Sequence, residues 1–213
     1  MSTRHPTRAG AAGFTLIELL IVIAILGTLA VVLVPNIMGA TDTANETATE
    51  ATMMRIEEAC KTFNREGHGY FPPDDFKSPE ASEKVQFKSD NGQNTGIESL
   101  VAFCSQSRRD GMEMGDLKLV NGDKDQNGAE LPLLKTKERL EIADAWGTPL
   151  VYFNKFGMEK TQIVVTPEDP TPMPVTAKKR EDGVYFGGGK FQILSAGKDK
   201  IFGTADDLVW PKN

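Results

Sequence analysis

The chain has 213 residues, with 24 Lys and Arg against 30 Asp and Glu, a formal charge of −6 and an isoelectric point near 5.1. That balance argues against a nucleic-acid binder, which gathers an excess of basic residues on one face. Two cysteines, Cys60 and Cys104, exclude a disulfide-stapled miniprotein and a four-cysteine zinc site.

The mean hydropathy of −0.31 averages two unlike parts. In residues 16–34 every position is apolar except Glu18, Gly27 and Thr28. A helix of about 20 such residues spans a bilayer core of roughly 30 Å. Residues 1–13 carry Arg4 and Arg8 and no acid, so the start of the chain is expected on the cytoplasmic side and the remainder beyond the membrane. A secretory signal peptide has a shorter apolar run and no carboxylate within it. A plain anchor should also exclude Glu18, because a charge in an apolar helix costs roughly 2.5 to 3.5 kcal/mol at mid-membrane.

The string Gly13-Phe14-Thr15-Leu16-Ile17-Glu18, followed by the apolar run and Pro35, resembles the leader of type IV pilins and of the pseudopilins of type II secretion. The resemblance implies that a membrane prepilin peptidase cuts between Gly13 and Phe14 and methylates the new amine. Glu18 then becomes the fifth residue of the mature chain and the assembly residue. A carboxylate one helical turn from a new amino terminus pairs with the amine of a neighbouring subunit, and a buried charge is tolerated when so paired.

After Pro35 the helical pattern continues, with Ala40, Ala44, Ala48 and Ala51 and then Thr52, Ile56, Ala59, Cys60 and Phe63 at three- and four-residue spacing. One helix from about 14 to 65 is expected, kinked or locally melted at Pro35 and ended by Gly67-His68-Gly69. Residues 70–95 read as a polar surface loop, and 96–106 as a short amphipathic helix with Ile97, Leu100, Val101 and Cys104 on one side. From Pro149 the apolar residues cluster at strand length: 150–153, 162–166, 184–186, 191–194 and 208–210. Between the second and third, Pro167, Pro170, Pro172 and Pro174 exclude a central strand and suggest a mobile insertion. The expected fold is α+β and pilin-like, a long N-terminal helix packed on a small antiparallel sheet. Its parts are a leader (1–13), a transmembrane or filament-core helix (14–34), an amphipathic continuation (35–66), a variable region (67–148) and C-terminal strands with a calcium loop (149–213).

That loop is Ser195-Ala196-Gly197-Lys198-Asp199-Lys200-Ile201 and on to Asp206-Asp207, which resembles the calcium loop of major pseudopilins. The resemblance implies calcium held by the side chains of Asp199, Asp206 and Asp207 and the carbonyls of Ala196 and Ile201, the oxygen ligands that a hard cation takes. A second acidic loop, Asp123-Lys124-Asp125-Gln126-Asn127-Gly128, opens like an EF-hand, but Leu134 stands where the bidentate glutamate belongs. It is read as either a weaker calcium site of another kind or a turn. Asp144-Ala145-Trp146-Gly147-Thr148-Pro149 resembles a pseudopilin signature that leads into the first strand, with Trp146 as core anchor and Gly147 as turn.

No catalytic or cofactor-binding residue stands out. His68 is read as a cap or surface residue. Gly187-Gly188-Gly189-Lys190 lacks the spacing of a phosphate loop and is read as a hairpin turn. Cys60 and Cys104 lie on inward helix faces, bonded to each other or separate thiols. Together these features describe a structural subunit, not an enzyme. The resemblance implies a type II secretion pseudopilin in the bacterial inner membrane, single-pass, with its C-terminal part in the periplasm. It is surrounded by membrane lipid before assembly and polymerises with itself, with minor pseudopilins and an inner-membrane secretion platform as partners and no nucleic acid. The alternatives are a type IV pilin of a surface fibre and an anchored periplasmic calcium-binding module that does not polymerise.

Overall fold

The computed structural model describes residues 14–77, 90–106, 117–128 and 130–213; the side chains of 32, 34–38, 67 and 68 also fall outside the description. Two units divide the chain, Met1–Thr43 and Ala44–Asn213.

Helix α1 is assigned over Leu16–Phe63, and its backbone stays helical through Pro35, so the expected local melting is not seen. In the first unit the described large apolar side chains of α1 are all exposed, from 46% at Val22 to 81% at Leu16. Among the described residues no helix is long and apolar enough to cross a membrane.

In the second unit α1 buries one face: Thr49, Met53, Ile56, Ala59, Cys60 and Phe63, the three- and four-residue spacing of a core-facing stripe. Ala44, Ala48 and Ala51 are exposed. A π-helical turn, Asn64–His68, ends the helix, and Gly69 takes the left-handed conformation (φ 69°) while its N–H donates to the Asn64 carbonyl. Glycine adopts that conformation without strain, as expected just past a helix end.

Helix α2 (Thr95–Cys104) is buried from Gly96 to Cys104, including Glu98 and Ser99, so the expected amphipathic helix is enclosed all round. It lies so close to the sheet that a Cβ on Gly96 would sit 2.2 Å from the Tyr152 carbonyl oxygen. The strands are β1 (Leu119–Val120), β2 (Glu141–Ile142), β3 (Val151–Asn154), β4 (Thr161–Val164), β5 (Met173–Thr176), β6 (Phe191–Ser195) and β7 (Leu208–Trp210). They form three antiparallel sheets, β3-β6-β7, β1-β2 and β4-β5. The α+β class read from the sequence therefore holds.

Strands β3 and β6 are buried on both faces. Tyr152, Phe191 and Ile193 join the core formed with α1 and α2. Val151, Phe153 and Leu194 join a second core with Val164 of β4 and Val175 of β5. This is the two-residue alternation of a strand, with an apolar layer on each side.

Several local expectations are corrected. The proline-rich segment supplies β5, where Pro174 lies opposite Ile163; a two-stranded ladder has only edges, where a missing N–H is tolerated. Residues 184–186 form no strand, only a bridge between Tyr185 and Lys179. The glycine run is a 3-10 turn, Phe186–Gly189, that enters β6, and the Gly187 N–H donates to the Asn213 carbonyl. Trp146 is half-buried and outside the core; the Asp144 carboxylate anchors that turn instead, accepting from Ser195 Oγ at 2.7 Å and the Thr148 N–H at 2.9 Å. The turn at Gly147 is as expected, but it leads into β3, not the first strand. Within the expected surface loop, Pro72, Pro73 and Asp74 are buried. Tyr152 Oη donates to the Pro72 carbonyl and Ser99 Oγ to the Pro73 carbonyl, each at 2.8 Å.

Cys60 and Cys104 are buried and not joined in a disulfide, and burial pushes the Cys60 thiol well up. Both should resist a maleimide in the native protein and react fully after unfolding without reductant; labelling that needs reductant would indicate a disulfide. Burial also raises the Asp74 carboxyl from 3.8 to about 6, against the Asn154 N–H that it accepts. A folded-state value above the unfolded one means that the protonated form favours folding. This contribution is complete below about pH 4 and is lost as pH rises through about 6. Asp74→Asn should flatten that part of the stability profile and raise stability at pH 8 by on the order of 2 kcal/mol, measured by chemical denaturation across pH.

Candidate functional site

Three places carry groups with chemical potential. The first is the start of α1. Phe14 is exposed, and Gly13 lies outside the described residues. The Thr15 N–H and hydroxyl both donate to Glu18 Oε2, at 2.8 and 2.7 Å, and the Glu18 N–H donates back to Thr15 Oγ1 at 3.3 Å. This reciprocal arrangement is a capping box, which satisfies donors that a helix start otherwise leaves open. Glu18 thus begins the helix in the single chain, a role the sequence reading missed. Its signal was the Thr-x-x-Glu spacing ahead of an apolar run.

The second place is the C-terminal loop. Asp206 Oδ2 accepts from the Asp199 N–H at 3.0 Å, and Asp206 Oδ1 accepts from Thr204 Oγ1 at 2.6 Å. The Thr204 hydroxyl and the Asp199 N–H hold the Asp206 carboxyl down to about 2. Asp199 Oδ1 accepts from the Ile201 N–H, and the Ile201 carbonyl accepts from Thr204 Oγ1. Ala196 is buried at the end of β6. Asp207 turns inward: its side chain is 1% exposed and pairs with Lys178 Nζ at 2.5 Å. The Asp207 Oδ1 is buried with no hydrogen-bond partner among the described residues. The three aspartates are not among the carboxylate groups whose oxygens converge within 4.8 Å.

The third place was only half legible. Carboxylates from four segments meet beside α2: Asp90 before the helix, Glu98 in its first turn, Asp123 and Asp125 in the second acidic loop, and Glu141 of β2. Oxygens of Asp90, Glu98 and Asp125 lie within 4.8 Å of one another, as do those of Glu98, Asp123 and Glu141. The geometry is built by Asn94, which caps α2 from a left-handed conformation (φ 50°). Its side chain accepts from the Val165 N–H at 3.0 Å and donates to Glu141 Oε1 at 2.7 Å. Arg139, itself buried, donates to Asp90 at 3.1 Å and to Asp125 at 2.7 Å. Burial and then the surrounding carboxylates push Glu98 up to about 11. Burial raises Glu141 to about 7, opposed by the Asn94 amide and the Gly122 N–H, and raises Asp125 to about 6, opposed by Arg139. The sequence reading singled out Asp123 and Asp125 but not Asp90, Glu98 or Glu141; a lone acid within an apolar helix was the available signal for Glu98.

Residues 8–34 match the prokaryotic N-terminal methylation motif. The chain is 61% identical over 41 residues to the type IV wide pilus major component PilA4 of Thermus thermophilus, covering 19% of this chain and 31% of that protein. It is 36% identical over 58 residues to the type II secretion system core protein G of Escherichia coli, covering 27% of this chain and 40% of that protein. The matches thus span a third to two-fifths of these relatives' lengths. No solved structure matches. With the methylation motif heading an apolar helix, the N-terminal part of the chain is similar to both a type IV pilus component and a type II secretion core protein.

Proposed function

We propose that the chain is a structural subunit of a pseudopilus that drives type II protein secretion. In this reading residues 14–34 hold it in the inner membrane with the C-terminal unit in the periplasm. Prepilin peptidase cuts between Gly13 and Phe14 and methylates the new amine. The subunit then polymerises with its own kind, joined by minor pseudopilins on an inner-membrane platform.

The observation that carries this reading is the motif Gly13-Phe14-Thr15-Leu16-Ile17-Glu18 heading a helix whose described large apolar side chains from Leu16 to Val31 lie exposed. Each such side chain gains about 1.5 to 3 kcal/mol when fully covered, so lipid, and then neighbouring helices, cover them. Glu18 is costly among lipid tails and is offset by the amine of an adjacent subunit. A second reading, a type IV pilin of a surface fibre, draws on the 61% identity to a pilus component.

In the same proposal the C-terminal loop takes calcium through Asp199, Asp206 and Asp207 and the carbonyls of Ala196 and Ile201. The unpartnered buried oxygen of Asp207 supports it, and Lys178 is the competing cation. Asp206→Ala should lower calcium uptake by about one equivalent in calorimetry; unchanged uptake would remove the loop from the proposal.

Intact mass of membrane-extracted protein should correspond to a chain beginning at methylated Phe14; retention of residues 1–13 would overturn the processing step. Crosslinked membranes should give a ladder of multimers that Glu18→Ala abolishes. Monomer in both forms would instead indicate an anchored module that does not assemble. Detection of the ladder in sheared extracellular fibres would favour the pilin reading over the pseudopilin.

A further inference from the structure

The carboxylate cluster beside α2 is independent of the filament reading and of the C-terminal loop. Its central member, Glu98, is 1% exposed, and neither of its oxygens has a hydrogen-bond partner among the described residues. Asp125 Oδ1 is likewise buried and unpartnered. The remaining acceptors are engaged. Asp90 takes Thr95 Oγ1 and Arg139, Asp123 takes Asn91 Nδ2, and Glu141 takes Asn94 and the Gly122 N–H. Glu98 is common to both groups of converging oxygens, so its unused acceptors face the centre of the cluster.

Acceptors left dry and unpaired in this way are costly, and charged ones more so. Arg139 reaches Asp90 and Asp125, leaving Glu98, Asp123 and Glu141 with no basic side chain bonded to them among the described residues. What the site lacks is positive charge that accepts lone pairs from several oxygens at once. Its donors are all carboxylates, with no imidazole or thiolate, the set that suits a hard cation rather than zinc or copper.

We propose that Glu98, Asp123 and Glu141, with Asp125 and Asp90 beside them, bind a divalent cation of the calcium type. The ligands come from α2, the second acidic loop and β2, so the ion ties the loop to two elements that already share the apolar core. It stabilises the C-terminal unit by binding only the folded arrangement.

The test uses the full chain in detergent micelles, stripped of metal and carrying Asp199→Ala and Asp206→Ala so that the C-terminal loop does not contribute. Calorimetry should find about one equivalent of calcium per chain, accompanied by a rise in melting temperature. Adding Glu98→Gln should abolish both, while leaving the metal-free protein at least as stable, because it removes an unpaired buried carboxylate. Asp123→Asn, nearer the surface, should weaken binding roughly tenfold or more and serves if Glu98→Gln does not fold. Absence of calcium uptake in the starting protein, or uptake undiminished by either change, would overturn the site.

Discussion

Strands β3 and β6 present an apolar layer on each face, so everything in the C-terminal unit is arranged to cover both. Tyr152, Phe191 and Ile193 require helices on one side, and Val151, Phe153 and Leu194 require the β4-β5 ladder on the other. The helix side is filled by a stripe of α1 and by the whole of α2. The close approach at Gly96 brings α2 into contact with the sheet backbone. Because α2 is enclosed, any polar residue it carries is buried with it, and the position of Glu98 follows directly.

The N-terminal unit obeys the opposite rule. Its helix is apolar around its circumference and has no core of its own, so the same hydrophobic effect that closes the C-terminal unit acts here between molecules or between molecule and lipid. In its first turn Thr15 and Glu18 satisfy each other. That local pairing keeps a carboxylate ordered at the end of an apolar rod, the position where a charge gained from another chain has the largest effect.

Buried polar groups divide the C-terminal unit into finished and unfinished parts. Asn94, Asp144 and Gln192 are matched by backbone groups and act as fasteners between segments. Glu98 is not matched. Asp125 and Asp207 each leave one carboxylate oxygen unmatched, whereas Glu98 leaves both unmatched among four further carboxylates.

The N-terminal motif, the apolar run, the core stripe of α1, most strands and the α+β class were legible in the sequence because each depends on residues near in sequence and on a period of two or 3.6. The strand within the proline-rich segment was not, since an edge ladder depends on its partner and not on local propensity. Asp144, and not Trp146, anchors its turn, because side-chain burial follows from what the turn rests on. For the C-terminal loop the sequence supplied three aspartates, whereas tertiary structure paired Asp207 with Lys178, a residue 29 positions away. The cluster of Asp90, Glu98, Asp123, Asp125 and Glu141 spans 52 residues of chain. Sequence alone determined that this protein has an apolar helix it does not cover by itself. Only the tertiary structure decided which carboxylates meet, because their encounter depends on how α2 and β2 pack against a sheet formed later in the chain.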